Sequence, residues 1–249
     1  MKISVITATY NSEQSILSAL DSISTQNYKN VELVVIDGAS KDNTITKIKE
    51  IFTGDLKIIS EKDNGIYDAL NKGIATATGD VIGFVHSDDF LASKEILSKI
   101  AKIFQEEKVD GVYGDLQYVN KEDTSTVIRY WKSEIFKPEL LKKGWMPAHP
   151  TLFLKKEIYE KYGLFNLDYN IAADYDLMLR IFSDTTLKFS YLPEVITKMR
   201  VGGASNRSLK NIKLKSTEDL RALKANGIKN PIKVLAYKNF SKLGQFIGK

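Results

Sequence analysis

Two adjacent aspartates follow a short apolar run in the segment GFVHSDDF, residues 83–90. Asp88 and Asp89 therefore stand at the end of a predicted buried strand. Like charges in such a place repel each other unless a cation or a proton lies between them. The alternative is a solvated turn or a helix cap, because Ser and Asp are common in both.

Polar residues follow each of the first four predicted strands. These groups lie at residues 9–11, 37–40, 61–65 and 87–89. In open α/β sheets the carboxyl ends of parallel strands meet at one edge, where ligands bind. Any one group could cap a helix, but the four in succession predict a single polar cleft.

The common glycine motifs for phosphate binding are absent from the sequence. No G-x-G-x-x-G follows the first strand and no P-loop motif occurs, which disfavours a dinucleotide-binding domain and a P-loop enzyme. A bound phosphate would therefore be held by side chains and a metal ion. The carboxylates of Asp88 and Asp89 suit Mg²⁺ or Mn²⁺ bridging a diphosphate, and such a ligand would explain two anions at a strand end.

The composition and the apolar runs of the chain exclude some classes of protein. The 249 residues include no cysteine, which excludes disulfides and thiolate metal sites. The amino terminus MKISVITATYN lacks the features of a signal peptide, and no apolar run has transmembrane length. We expect a cytoplasmic protein with no nucleic-acid partner.

Short β-rich runs alternate with helical periodicity over the first ninety residues. The predicted strands are ISVITATY, VELVVID, LKIISE and DVIGFVH, and VDGVYGDLQYV follows a further amphipathic helix. This alternation predicts an α/β fold with a parallel sheet covered by helices on both faces. We predict one domain over residues 1–206 and a basic helical extension over residues 207–249.

The segments ISVITATYN, VVIDGASKDNT, DNGIYDALNKGIATATGD, HSDD and AADYDLMLR occur in this order. Together they resemble the inverting glycosyltransferases of family 2, most of all the bacterial branch that builds surface polysaccharides. The resemblance covers about residues 1–205. It implies a GT-A-type nucleotide-diphospho-sugar transferase fold, with a mainly parallel central sheet flanked by helices and a helical C-terminal tail. Residues 1–115 would be the nucleotide-binding half and residues 116–206 the acceptor-binding half.

The same resemblance implies the chemistry. The donor would be a nucleotide-diphosphate sugar, specifically a UDP-sugar, and the cofactor Mn²⁺ or Mg²⁺. The acceptor would be a saccharide or lipid-linked saccharide whose hydroxyl attacks with inversion of the anomeric carbon. In the donor site Thr9 and Tyr10 would lie against the base, Asp37 would contact the nucleoside, and Asp63 would lie near the uracil edge.

At the metal, the resemblance places Asp88 towards the ribose and the metal shell and makes Asp89 the direct ligand. His86 stands where family members often have an acidic residue. The resemblance also assigns the general base to Asp174, in AADYDLMLR, although Ala173 replaces the glutamate usual before it. Helix N-capping is the alternative role for Asp174.

Further residues receive roles at the diphosphate or the acceptor. His149, between two prolines, resembles a position near either ligand, and Trp145 would floor an acceptor sugar or belong to the core. Asp176 is interpreted as an i,i+4 partner of Arg180. MRVGGASNR, residues 199–207, would be a lid over the diphosphate with Arg200 as its charge partner, or only a connector.

The charge of the chain is uneven. Net charge is +9 over residues 207–249 and −4 over the rest. In PIKVLAYKNFSKLGQFIGK, Pro231 suits a first helical turn, and apolar residues recur at helical spacing at Ala236, Phe240, Leu243 and Ile247. The lysines among them are Lys233, Lys238, Lys242 and Lys249. Such a helix either packs on the domain or lies at an anionic membrane, the inner face of the cell membrane for a cytoplasmic enzyme.

Two rival functions remain open from sequence. A sugar-phosphate nucleotidyltransferase would share a similar architecture, but TATYNSEQ lacks the glycine-rich basic loop usual in that class. A non-catalytic nucleotide-sugar-binding module is the other alternative, favoured by Ala173 and His86. A donor-panel assay of UDP release with Mn²⁺ separates all three.

Overall fold

The computed structural model describes residues 1–202 and 209–241. The strands of these residues are β1 (Ile3–Thr9), β2 (Val31–Asp37), β3 (Asp55–Ser60), β4 (Val81–Phe84), β5 (Phe90–Leu91), β6 (Gly111–Val119), β7 (Val127–Trp131), β8 (Phe153–Lys155) and β9 (Phe189–Arg200). The α-helices are α1 (Ile16–Ser24), α2 (Thr44–Ile51), α3 (Ile66–Thr76), α4 (Ile96–Glu107), α5 (Lys156–Tyr162), α6 (Ala173–Phe182), α7 (Leu209–Ala225) and α8 (Pro231–Ser241). Short 3-10 helices occupy Pro138–Lys143 and His149–Thr151.

The strands form one sheet in the order β3-β2-β1-β4-β8-β6-β9-β5, with β7 paired to β6. The first four strands in this order are parallel. In the second half β8 is antiparallel to both neighbours, β6 is parallel to β9, and β7 and β5 pair antiparallel. The α/β class is confirmed, and the sheet is mixed, with its parallel pairs among the first four strands and between β6 and β9. The short connection from β6 to β7 forms a hairpin, which makes that pair antiparallel.

Both faces of the sheet are covered. Residues of β1 alternate between the faces, so that Ile6 and Ala8 pack in one apolar cluster with α3 and α6. Ile3 and Val5 pack in a second cluster with α1 and α4. The continuous apolar strands of the sequence are thus explained, because each strand buries both of its sides.

Gly83 in β4 marks the tightest place in this packing. A Cβ atom at residue 83 would lie 2.1 Å from Cε1 of Phe153. We expect Gly83→Ala to lower the free energy of unfolding by about 1–3 kcal/mol, because the ring of Phe153 must leave its rotamer. Urea denaturation measures the loss. Adding Phe153→Leu should restore part of it, whereas an unchanged midpoint in the single variant would show that the ring moves without cost.

The described part of the C-terminal extension packs on the domain. Ala222 and Leu223 of α7 and Val234 of α8 are buried in the cluster that also contains α6. Helix α8 begins at Pro231, as the sequence predicts. Among the described residues, no helix is both long enough and apolar enough to cross a bilayer.

Lys238 corrects one expectation. Instead of lying on a charged outer face, it is 3% exposed, and its Nζ lies 2.8 Å from Oδ1 of the buried Asp219. A buried lysine needs such a partner, since an unpaired ammonium in the interior is strongly unfavourable. Of the other predicted tail positions, Ala236 and Phe240 point outward, and Lys242, Leu243, Ile247 and Lys249 lie outside the described residues.

Candidate active site

The carboxyl ends of the parallel strands open onto a cavity of about 840 Å³. The lining residues that come from strand ends and the loops after them are Thr9, Tyr10, Gly38, Asp63, His86, Ser87 and Asp88. Each of the four predicted polar groups therefore contributes to one cavity. Its location agrees with the rule that ligands of open α/β sheets bind at this edge.

Tyr10 and Asp63 both lie close to Gly38 in the wall of the cavity. A Cβ atom built on Gly38 would be 3.3 Å from both Cδ2 of Tyr10 and Oδ2 of Asp63, so an aromatic ring and a carboxylate border the same space. Tyr10 is 60% exposed, and Lys72 holds Asp63 through a contact of 2.7 Å between Nζ and Oδ1. Tyr10 offers a stacking surface and Asp63 a hydrogen-bond acceptor, which are the two features that a nucleobase needs.

Thr9 and Asp37 differ in whether their side-chain oxygens have hydrogen-bond partners. The hydroxyl of Thr9 is buried and has no hydrogen-bond partner among the described residues. The carboxylate of Asp37 accepts hydrogen bonds from the backbone N–H of Ser40 at 3.0 Å, from the Ser40 hydroxyl, and from the Ser60 hydroxyl at 2.6 Å. Asp37 is fully buried and is not among the residues that line the cavity. These bonds hold the turn at residues 38–40, and the expected contact of Asp37 with the nucleoside stays a prediction.

Asp88 and Asp89 lie side by side in very different surroundings. Asp88 is exposed and lines the cavity, whereas Asp89 is fully buried. Neither carboxylate oxygen of Asp89 has a hydrogen-bond partner among the described residues. Burial, with the neighbouring charge of Asp88, raises the pKa of Asp89 well above its ordinary value. A buried carboxylate without a partner is unfavourable as an anion, so this position fits a cation.

A metal ion at this place would need oxygens from the ligand. In residues 1–202 and 209–241, no group of at least three His, Cys, Asp or Glu side chains is arranged to hold a metal. The carboxylates of Asp89 and Asp88 are hard oxygen donors that suit Mg²⁺ or Mn²⁺, and a diphosphate supplies further oxygens of the same kind. The donor set therefore fits a metal-diphosphate rather than a metal alone.

His149 lies in an aromatic cluster with Phe84, Phe165 and the cavity-lining His86. Its ring centroid is 4.9 Å from that of Phe84, 5.4 Å from that of Phe165 and 6.2 Å from that of His86. Burial lowers the pKa of His149 to about 3, so its ring is neutral at pH 7. The expected place near the diphosphate would therefore offer a hydrogen bond and no positive charge.

Asp174 lies in the first turn of α6 and is half-buried. Its Oδ1 accepts hydrogen bonds from the backbone N–H of Tyr175 at 2.8 Å and from the Tyr67 hydroxyl at 3.4 Å. The N-cap residue is Ala172, which excludes the N-cap role for Asp174. Burial raises the pKa of Asp174, and the positive charge of Lys238 opposes that rise. A carboxyl with a raised pKa in a partly buried site is suited to general base chemistry.

Tyr118 of β6 connects Asp174 with the paired aspartates. Burial raises the pKa of Tyr118, and the negative charges of Asp89 and Asp174 both raise it further. The candidate base and the candidate metal ligand are therefore both near enough to Tyr118 for their charges to act on it, although 85 positions separate them in sequence.

Trp145 and Arg200 are not among the residues that line the large cavity. Trp145 packs in an aromatic cluster with Tyr113, Phe136 and Phe182, with ring centroids 5.5–5.8 Å apart, so the core alternative describes its contacts.

Arg200 is the last residue of β9, and its guanidinium donates to the backbone oxygen of Asp88 at 2.6 Å and to the Ser18 hydroxyl at 3.0 Å. These bonds make Arg200 an anchor of the aspartate loop. Residues 203–207 of the expected lid lie outside the described residues.

Sequence reasoning did not single out Tyr67, Gly38 or Tyr118. Tyr67 stands in the quoted segment DNGIYDALNKGIATATGD, where its helical spacing indicates only a half-buried residue. Its hydroxyl donates to the backbone oxygen of Ile171 at 2.6 Å as well as to Asp174. The expected pair of Asp176 and Arg180 is present, with 3.1 Å between Oδ2 and Nε.

Comparison with known proteins shows which family the chain is similar to. The family described as Glycosyl transferase family 2 matches residues 4–163. A PGL/p-HBAD biosynthesis glycosyltransferase of Mycobacterium bovis is 34% identical over 209 residues, which cover 82% of this chain and 78% of that protein. An uncharacterized glycosyltransferase of Haemophilus influenzae is 28% identical over 222 residues, covering 84% of this chain and 68% of that protein.

Solved structures share the fold. The S. aureus TarS fragment 1–349 in complex with UDP-GlcNAc superposes with a TM-score of 0.66 at 20% identity, covering 96% of this chain and 72% of that one. The mannosyltransferase PcManGT from Pyrobaculum calidifontis, in complex with GDP-Man and Mn²⁺, gives a TM-score of 0.66 at 20% identity and covers 96% and 69% of the two chains.

Proposed function

The chain belongs to glycosyl transferase family 2 and is a glycosyltransferase with a GT-A-type fold, and we propose that it inverts the anomeric carbon of a nucleotide-diphosphate sugar. The observation that supports this most is one cavity lined by Tyr10, Asp63 and Asp88, with the buried Asp89 next to Asp88 in the chain. The acceptor in this proposal is a hydroxyl of a glycan or of a lipid-linked saccharide in polysaccharide biosynthesis.

The donor is proposed to be a UDP-sugar. Tyr10 would stack on the uracil, Asp63 would accept from its N–H edge, and the free hydroxyl of Thr9 would bond to the nucleoside. The UDP-GlcNAc of the TarS complex supports this assignment, whereas the GDP-Man of PcManGT keeps a guanine donor as the competitor to test.

The diphosphate is proposed to bind with Mn²⁺ or Mg²⁺ at Asp89 and Asp88. The support is the buried, unpaired carboxylate of Asp89, together with the Mn²⁺ in the PcManGT complex. When bound, the metal supplies positive charge to the diphosphate leaving group. Arg200 fixes the backbone at Asp88 and thereby keeps the two carboxylates in place.

Asp174 is proposed to be the general base. As the acceptor oxygen forms a bond to the anomeric carbon, its proton passes to the Asp174 carboxylate. The bond between that carbon and the diphosphate oxygen breaks, and its electron pair leaves with the diphosphate. Tyr67 stays protonated, since burial raises its pKa, and its hydroxyl, which donates to the backbone oxygen of Ile171 at 2.6 Å, makes a longer contact of 3.4 Å with Oδ1 of the base.

A membrane contact through α8 is part of the proposal. The outward face of α8 presents Ile232, Tyr237 and Phe240, which are 73%, 50% and 70% exposed, and Lys229 and Lys233 lie beside them. An apolar face with lysines fits an anionic lipid surface, where a lipid-linked acceptor of a cytoplasmic enzyme would lie.

We expect the double variant Ile232→Asp with Phe240→Asp to lose co-sedimentation with anionic vesicles, because it places charge on the face that would enter the headgroups. Ile51→Asp on α2, whose helix packs on the other side of the sheet, is the matched control and should sediment like the unaltered protein. Equal sedimentation of all three proteins, or none by any, would contradict the contact.

The reaction itself is tested by a panel of UDP-sugars and GDP-sugars with Mn²⁺, in which release of the nucleoside diphosphate is followed with saccharide acceptors. We expect one uridine donor to be consumed in an acceptor-dependent way. Release of pyrophosphate from a nucleoside triphosphate and a sugar phosphate would favour the nucleotidyltransferase, and donor binding without turnover would favour a binding module.

A further inference from the structure

Helix α7 of the C-terminal extension lies against the loop that leads into α6. The carboxylate of Glu218 accepts hydrogen bonds from three successive backbone N–H groups, those of Asn170 at 2.9 Å, Ile171 at 2.8 Å and Ala172 at 3.0 Å. Glu218 is only 5% exposed, so these bonds are shielded from water. Both oxygens of this buried carboxylate therefore accept hydrogen bonds from the backbone.

This loop needs such a partner. The first N–H groups of a helix lack partners within the helix, and Ala172 at the N-cap of α6 provides no side-chain cap. The negative charge of Glu218 also lies favourably near the positive end of the α6 dipole. Glu218 thus accepts the N–H of the N-cap residue and of the two residues before it, for which the local sequence offers no side-chain partner.

Other contacts of α7 hold the same stretch. Arg221, one helical turn after Glu218, donates to the backbone oxygen of Asp168 at 2.5 Å and stacks on the ring of Tyr169 at 4.0 Å. Asn226 donates to Oδ1 of Asp176 at 2.9 Å. The loop before α6 and the first turn of that helix are therefore held by the second half of α7 and the residue after it.

The opposite side of the segment is held by the core domain. Tyr67 of α3 donates to the backbone oxygen of Ile171 at 2.6 Å and to Asp174 at 3.4 Å. Ile171 is thus bonded to Tyr67 through its carbonyl and to Glu218 through its N–H. Asp174 lies three residues further on, so its position depends on a backbone held between α3 and α7.

We propose that Glu218 is a positioning residue for Asp174, which makes the C-terminal extension a part of the catalytic architecture. The inference rests on the proposed function, because Asp174 must be the base for its position to affect the rate. Glu218 touches neither donor nor acceptor in this proposal and acts only through the backbone of residues 170–172.

Glu218→Gln is the direct test, since it keeps the shape of the side chain and removes its charge and one acceptor. In the full-length protein we expect kcat to fall about 10- to 100-fold, the usual cost of a small misplacement of a catalytic group, while KM for the donor is unchanged. Lys224→Gln neutralises a charge on the exposed side of the same helix and should leave kcat unaltered.

A double variant distinguishes an effect on the position of Asp174 from a general loss of structure. Combined with Asp174→Asn, Glu218→Gln should cause no further fall in kcat, because the base that it positions is already absent. An equal fall in both backgrounds would overturn the proposal, as would an unchanged kcat in the single variant. If Glu218→Gln does not fold, Arg221→Gln loosens the same loop from an exposed position, and the same comparison of backgrounds applies.

Hydrogen exchange tests the positioning without any turnover. The amides of residues 170–172 should exchange faster in Glu218→Gln than in the unaltered protein, and unchanged exchange would overturn the proposal. Should the unaltered protein transfer no sugar from any donor, the proposed function would fail on that result, while the exchange measurement would still decide whether Glu218 fixes the loop.

Discussion

Asp174→Asn is expected to lower kcat by about 10²–10⁴-fold, the range typical for the loss of a general base. The amide keeps the size of the carboxylate and its hydrogen bond from Tyr67, but it cannot take the proton of the acceptor hydroxyl. Donor affinity should stay nearly constant, because the base faces the acceptor and not the nucleotide. Steady-state kinetics together with calorimetric titration of the nucleotide measure both quantities.

Asp176→Asn is the matched control for this variant. Asp176 lies in the same turn of α6, but its carboxylate is bonded to Arg180 and Asn226. We expect lower thermal stability and a largely preserved kcat. Near-normal turnover in Asp174→Asn with a strong loss in Asp176→Asn would reverse the assignment of the base.

The pH dependence of kcat should reflect the surroundings of Asp174. Burial raises its pKa, the charge of Asp219 raises it further, and Lys238 and Lys215 oppose the rise. The base works only when ionised, so kcat should fall as the pH decreases through this raised pKa. The acidic limb should therefore lie above the ordinary aspartate value of about 3.9 and disappear in Asp174→Asn.

Asp89→Asn is expected to weaken metal-dependent donor binding by about 100-fold or more, since the diphosphate loses the carboxylate that would hold its cation. Calorimetric titration of UDP with and without Mn²⁺ measures the effect. Without metal and donor, the variant should be at least as heat-stable as the unaltered protein, because it removes a buried carboxylate that has no partner among the described residues.

Glu106→Gln, on the exposed surface of α4, is the control and should bind UDP with the metal dependence of the unaltered protein. Tight binding that still depends on Mn²⁺ in Asp89→Asn would show that the metal is held elsewhere. Lower heat stability of the metal-free variant would instead show that Asp89 has a structural role.

The half of the fold that surrounds the candidate donor site was predictable, because its signals lie within short segments of the sequence. Strands β1, β2 and β4 bury both faces and β3 is half-buried, so each contains a short apolar run, and polar residues such as Asp63 and Asp88 follow directly in sequence. Parallel pairing then brings these strand ends to one edge. The apolar runs and the polar residues that follow them were therefore sufficient to predict the cavity.

The rest of the sheet and of the candidate site depends on contacts between residues that are far apart in the sequence. The parallel contact of β6 with β9 joins segments about 80 residues apart, with no local signal for the strand order. Asp37 has the position of a ligand residue, but its bonds to Ser40 and Ser60 become visible only in three dimensions.

The C-terminal extension shows the same limit. Lysines are normally exposed, so the basic composition of the tail indicated an outer surface, and the pair of Lys238 with Asp219 overrides that rule. Glu218 likewise has no local partner, because the N–H groups that it accepts belong to residues 170–172. The division into a domain of residues 1–206 and an extension stays a prediction.

A crystal structure with UDP and Mn²⁺, recorded with the anomalous signal of manganese, tests the central claim most directly. We predict the uracil between Tyr10 and Asp63 over Gly38, with the diphosphate and the anomalous peak at Asp88 and Asp89. A nucleotide bound in another cavity, or a manganese peak away from Asp89, would contradict the proposed donor site.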